Sequence, residues 1–284
     1  MTMTPLTVGI SGLDEAYPLE AVLGSLPMSC RTAGRDERAD VVLIGGPDWA
    51  ARATAAVDGG AHGLLLADPW PIDAASLREV ADLACPVVVD FGRRHNPAVD
   101  HVRDAVAQHR TPHALFEVRT TTTPGLGLVP ASLAALDVLT AVAGPLVALE
   151  VLRDDAHHLA LSGRLTDDAV VVITVAVTRA RPRRTSLTVA GKRGRVRLEL
   201  PDPVTAAPGT AAVTEAGGHR VFPVGAESAH RVAMRRLTAA VLGHAAPPDD
   251  LARLRDTAQM LNGAVERDRA TGSARPLERA RGGP

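Results

Sequence analysis

The tightest constraint on this chain is a spacing. Leu6–Gly12 (Leu-Thr-Val-Gly-Ile-Ser-Gly) and Ala39–Gly45 (Ala-Asp-Val-Val-Leu-Ile-Gly) both read as short buried strands closed by glycine, and only 26 residues, Leu13 to Arg38, lie between them. A helix over Leu19–Leu26 and a strand over Met28–Thr32 fit that interval, whereas two βα units at about 30 residues per βαβ would need roughly twice as much. At least one unit of a long parallel sheet is therefore missing. Helices follow at Trp49–Val57 and Ile72–Leu83, alternating with strands at Gly63–Ala67 and Cys85–Asp90. This alternation predicts a parallel sheet with helices on both faces.

After a helix opened by Asn96-Pro97 and running to Gln108, the pattern changes. Leu115–Thr121 is strand-like and Pro130–Ala143 helical. Strands then dominate: Val147–Leu152, His158–Leu161, Val170–Thr178, Thr185–Ala190, Val196–Leu200, Ala211–Thr214 and Arg220–Val224. Gly191-Lys-Arg-Gly194 is a hairpin turn, and Ser228–Leu242 and Asp249–Glu266 are closing helices. The expected fold class is α/β plus α+β: a truncated Rossmann-like parallel-sheet domain over residues 1–110, then an open, mostly antiparallel sheet domain over 111–266. Residues 267–284, rich in Arg, Gly and Pro, are expected to form a disordered tail.

Composition narrows the function classes. The chain is 46% hydrophobic and 22% charged with net charge −1, so neither disorder nor a chain-wide nucleic-acid footprint is indicated. Lys192 is the single lysine, and any chemistry that needs a lysine has that one candidate. Cys30 and Cys85 lack metal-site spacing, so no metal is expected. No stretch approaches 18 apolar residues and the first residues do not read as a leader, which gives an expected cytoplasmic location without membrane partners.

Several segments resemble the glucose-fructose oxidoreductase/inositol dehydrogenase (Gfo/Idh/MocA) family. Ala56-Val-Asp-Gly-Gly-Ala-His-Gly-Leu-Leu-Leu-Ala-Asp-Pro69 is similar to its "ALEAGAKGVLVEKP" segment, and Ala39–Gly45 to its fourth strand. Val87-Val-Val-Asp-Phe-Gly-Arg-Arg-His-Asn-Pro97 resembles its "RR…NP" stretch, Leu136–Gly144 keeps the spacing of "HxxDLLxxLLG", and Leu187–Val196 is similar to its "V-x-G-x-x-G-x-L" hairpin. The resemblance covers about residues 6–265. It implies a dinucleotide-binding fold, oxidoreductase chemistry and pairing through the second sheet.

The chemical positions depart from that pattern. In the dinucleotide fingerprint Gly12 holds the first glycine position, but Asp14 stands at the second and Tyr17 at the third. Asp68 replaces the family lysine, and the Asp-x-x-x-His pair falls on Pro130 and Ala134. The leading expectation is thus a chain without cofactor, either an enzyme for a small molecule or a non-catalytic partner of an active homologue. The alternative is an NAD(P)-dependent oxidoreductase of a sugar-like or small carbonyl substrate. Cleft candidates are Asp68, Arg93, Arg94, Glu117, Arg119 and Asp137, with Gly12 as the residual cofactor candidate. Arg93 and Arg94 could clamp a carboxylate or phosphate, or pair with Asp90 or Asp68. A small-molecule ligand or a protein partner and a homo-oligomer through the second sheet are expected, and no nucleic acid.

Overall fold

The computed structural model describes residues 4–271, apart from 15, 16, 35, 71, 81, 110–112 and 206. The first sheet is parallel, in the order β2-β1-β3-β4-β5, built from β1 (Leu6–Ser11), β2 (Cys30–Thr32), β3 (Val41–Ile44), β4 (Gly63–Ala67) and β5 (Val87–Asp90). Between β1 and β3 the chain places only α1 (Leu19–Gly24) and the three-residue β2. The sheet ends at β2, where a longer interval would have added another strand.

Alternation along each strand loads both faces of this sheet. Leu64 and Leu66 pack with Trp49 and Ala53 of α2 (Trp49–Asp58), Leu77 of α3 (Ala74–Glu79) and Val102 of α4 (Pro97–His109). Val8, Val41, Leu43, Leu65 and Val88 face the other way, onto Val22 and Leu23 of α1. That second face is completed from far along the chain, by Ala233, Met234 and Leu237 of α6 (Ala229–Val241).

The second sheet has eight strands in the order β13-β12-β11-β10-β6-β9-β8-β7. They are β6 (Leu115–Thr122), β7 (Leu146–Asp154), β8 (His158–Leu165), β9 (Val170–Val177), β10 (Arg184–Gly191), β11 (Gly194–Leu200), β12 (Thr210–Glu215) and β13 (Gly218–Phe222). All neighbours are antiparallel except β6 and β9. One face carries Phe116, Val118, Thr120 and Thr122 of β6, buried against α5 (Leu128–Ala143) and its neighbours. The opposite face exposes Leu115 and its register partner Val170.

The boundaries follow physical rules the pattern left open. β8 continues past Leu161 through Ser162-Gly-Arg164 because both β7 and β9 pair with it, and a ladder on two sides overrides local composition. α5 begins at Leu128, since Pro130 is tolerated in a first turn. α3 starts at Ala74 rather than Ile72 because Asp73 caps it by accepting from the Ala75 and Ser76 amides. The last helix, α7 (Asp250–Thr271), runs through residues 267–271 of the expected tail, and residues 272–284 lie outside the described residues. No helix among the described residues is long and apolar enough to cross a membrane.

Candidate functional site

The carboxyl ends of β1, β3 and β4 open into a cavity of about 440 Å3. Gly12, Asp14, Tyr17, Gly45, Gly46 and Asp68 line it from the first sheet, and Arg183, Pro203 and His230 from the later chain. Open α/β sheets bind ligands at such a crevice. Gly12 (φ +64°) and Gly46 (φ +77°) adopt conformations that L side chains rarely take. A Cβ on Gly12 would also meet the Gly45 carbonyl at 2.8 Å and the Arg52 guanidinium at 2.6 Å. Arg52, from the first turns of α2, therefore lies over the bare Gly12 turn, and its Nε is buried with no hydrogen-bond partner.

On the inner wall, three side chains meet. Asp90, fully buried at the end of β5, accepts from the Tyr17 hydroxyl at 2.9 Å and from His230 Nδ1 at 2.7 Å, and its other oxygen accepts from the Gly92 amide at 2.8 Å. The Tyr17 and His230 rings pack 4.6 Å apart. Burial alone would raise the Asp90 carboxyl, but the His230 charge and hydrogen bond, with support from His95 and the Gly92 amide, hold it down at about 2. The same partnership raises His230 against the downward pull of its own burial. Tyr17 is pushed well above the usual phenol range, first by burial and then by the Asp90 charge. This is an ionised carboxylate orienting an imidazole, with the carboxylate bond fixing Nδ1 as the donor and leaving Nε2 for exchange.

Asp68 is the one cleft candidate from the sequence that lines this cavity. Its backbone is left-handed (φ +43°), and burial followed by the Asp90 charge raises its carboxyl. Arg93 is buried and does not line the cavity, though the preceding Gly92 packs against the lining residues Pro203 and His230. Arg94 is not a ligand clamp, because Asp137 at 3.3 Å and Asp250 at 3.5 Å hold its guanidinium. Asp90 is the partner of neither arginine, having been taken by His230 and Tyr17. Asp137 is buried in α5, where burial raises its carboxyl to about 6 despite Arg94. Glu117 and Arg119 bond to each other at 2.9 Å on the face of β6 turned away from the helices, so they do not form a cleft wall.

Asn96 acts as a cap, accepting from the Ala98 amide at 3.0 Å. Asp250 is a structural hub. It accepts from the Val89 amide at 3.2 Å and from Arg236 at 3.1 Å, and pairs with Arg94 and Arg253.

Tyr17, His230, Arg52 and Arg183 carry no motif. Tyr17 reads in sequence as an obstacle to helix packing. His230 shares a stripe with Ala233, Met234 and Leu237, where a lone histidine ordinarily reads as core.

No family model and no curated protein matches the chain. Solved structures do. KijD10, a 3-ketoreductase from Actinomadura kijaniata, in complex with NADP and TDP-benzene, is 16% identical with a TM-score of 0.71 over 93% of this chain and 98% of that one. UDP-N-acetylglucosamine 3-dehydrogenase GnnA from Acidithiobacillus ferrooxidans is also 16% identical, with TM-score 0.71 and the same coverage. These neighbours correct the expectation of a chain without cofactor. Despite the sequence departures, the fold is one that holds NADP in solved structures of KijD10. The chain has the two-sheet fold of these oxidoreductases, and its resemblance to the glucose-fructose oxidoreductase/inositol dehydrogenase family holds at the level of that fold.

Proposed function

We propose that the chain is an NAD(P)-dependent oxidoreductase acting on a sugar-like or small carbonyl substrate. The observation that carries this reading is the Tyr17–Asp90–His230 set on the wall of a cavity whose floor is the bare backbone of Gly12, Gly45 and Gly46. The cofactor test rests on that floor. The Gly12 turn has no side chain of its own to bar a phosphate, and beside it the Arg52 guanidinium, long-bonded to the Ser11 hydroxyl at 3.5 Å and paired loosely with Asp48 at 3.8 Å, keeps a buried Nε unused and supplies positive charge. In a complete fingerprint a helix end does this work, but α1 is only six residues long. Gly12, Gly45, Gly46 and Arg52 would hold the dinucleotide.

When bound, NAD(P) gives or takes the hydride. The remaining chemistry belongs to the chain. His230, as imidazolium, donates a proton from Nε2 to the carbonyl oxygen in reduction, and as neutral imidazole removes it from the hydroxyl in oxidation. Asp90 stays ionised throughout and stabilises the imidazolium, while the Tyr17 hydroxyl and the Gly92 amide fix its carboxylate. Asp68 lies on the same wall as a second polar group for the substrate. The sugar-like class is supported by GnnA, whose substrate is a nucleotide-linked sugar. Self-association through the open face of the second sheet belongs to the same reading, supported by the exposed Leu115–Val170 pair.

Calorimetric titration with NADH and NADPH tests the proposal. Micromolar binding of either is expected, followed by NAD(P)H-linked turnover of keto sugars or sugar nucleotides. No heat with either nucleotide, in folded protein, would sink it.

A further inference from the structure

Arg93 is 3% exposed, and its Nε and Nη2 are buried with no hydrogen-bond partner among the described residues. Arg183 is close enough for the two charges to repel, and its buried Nε makes no hydrogen bond among the described residues. Its one ion pair among the described residues is with Asp202, at 3.9 Å. The acids whose charge reaches Arg93 are Asp68 and Asp202, and neither comes within ion-pair distance of it. Arg93 is thus enclosed with two donors unused and without an ion pair among the described residues, while the nearby Arg183 is partly open to the cavity and held only by the long contact to Asp202. A fold rarely encloses such groups without a counter-charge, since an unpaired buried ion is strongly unfavourable and buried donors are almost always satisfied.

The location gives that counter-charge a source. Arg183 lines the cavity that His230 and Asp68 share, Pro203 beside Asp202 forms its edge, and Arg93 follows Gly92, whose backbone packs against Pro203 and His230. We propose that this arginine pair is an anion subsite for the substrate, so that the proposed oxidoreductase acts on a carbonyl or hydroxyl compound carrying a carboxylate or phosphate group. The inference rests on the reading of the cavity as a substrate site. Arg183 presents the surface the anion meets, and Arg93 adds the second positive charge behind it.

The two remaining acids on the wall do not oppose this. Burial pushes the Asp68 carboxyl up, toward the neutral form that tolerates an anion beside it. Asp14 also lines the cavity, on the glycine side with Gly12 and Leu13. For Arg93 the desolvation and the Arg183 charge together bring the guanidinium down to about 10, and an incoming anion reverses that shift.

The test titrates the full chain by calorimetry with D-glucuronate, D-glucose 6-phosphate and D-glucose, and separately with NADPH. At least one acidic sugar is expected to bind about tenfold more tightly than glucose. Arg183→Gln and Arg93→Met should each remove that preference while leaving NADPH affinity unchanged. Equal binding of all three sugars to the wild-type chain overturns the proposal without any variant having to fold. So does an acid preference that survives both substitutions. If the acids compete with NADPH and both variants weaken NADPH, the arginines serve the cofactor's phosphates and the proposal is again overturned. Arginine-dependent acid binding in a chain that does not bind NADPH supports the subsite and overturns the oxidoreductase reading instead.

Discussion

Asp90 and His230 are 140 residues apart in the chain, and their carboxylate oxygen and Nδ1 lie 2.7 Å apart in the fold. Neither is exposed by more than a few per cent, so the pair is pre-organised rather than assembled by a ligand. His230→Ala should lower kcat by about 10²–10⁴-fold while NADPH affinity is retained. Steady-state kinetics with parallel nucleotide titration checks this, and a variant with near-normal kcat would remove His230 from the reaction.

The pH profile reports on the same pair. With its ionisation raised by Asp90, His230 keeps its proton to higher pH than a free imidazole, so the reductive kcat should fall only as pH rises through that raised value. Asp90→Asn removes the charge that offsets burial, and the fall should move to lower pH. An unmoved break would mean that another group titrates.

Asp137 makes a stability prediction of the opposite kind. Its ionisation is raised from 3.8 to about 6, so the folded chain holds a proton that the unfolded chain releases between those values. This group's contribution is greatest below the unfolded value and declines as pH rises to about 6, by roughly 2–3 kcal/mol. In Asp137→Asn that decline should vanish, which urea unfolding across about pH 4 to 7 would show as converging wild-type and variant curves at the acid end. Parallel curves would refute it.

Asp250 anchors Arg94, Arg236 and Arg253 and the Val89 amide from a position with 2% exposure. Truncation leaves three guanidiniums short of their shared acceptor. Asp250→Ala should cost about 3–5 kcal/mol by chemical denaturation. A loss under about 1 kcal/mol would show that Asp137 and Asp249 suffice for the arginines.

Arg52→Gln should weaken NADPH binding about tenfold and reduce its salt dependence, because the guanidinium over Gly12 is the charge assigned to the phosphates. Unchanged affinity at low salt would place the nucleotide elsewhere.

The architecture was legible because strand period, glycine stops and interval lengths are local properties. The 26 residues before Ala39 sufficed to predict a shortened sheet. The site was legible only in part. Asp68 and Gly12, named from strand-end position and from the fingerprint that the sequence resembles, both line the cavity. Tyr17 and His230 could be recognised only through Asp90, a contact that no local pattern encodes. Arg93 and Arg94 show the same limit. Adjacent in sequence and equivalent in chemistry, they differ because one meets Asp137 and Asp250 while the other meets no acid within ion-pair distance among the described residues.

The covering of the first sheet by α6 has a consequence for how the chain is made. Val8, Val41, Leu43, Leu65 and Val88 are all synthesised before residue 90, yet the helix bearing Ala233, Met234 and Leu237 emerges some 140 residues later. At about 5–20 residues per second on the ribosome, that leaves an apolar sheet surface open for several seconds or more. Until α6 is made, that face is covered only by Val22, Leu23 and Leu26 from the α1 region. A chain ended between residues 90 and 229 would therefore keep the first sheet's strands but lack Ala233, Met234 and Leu237 on that face.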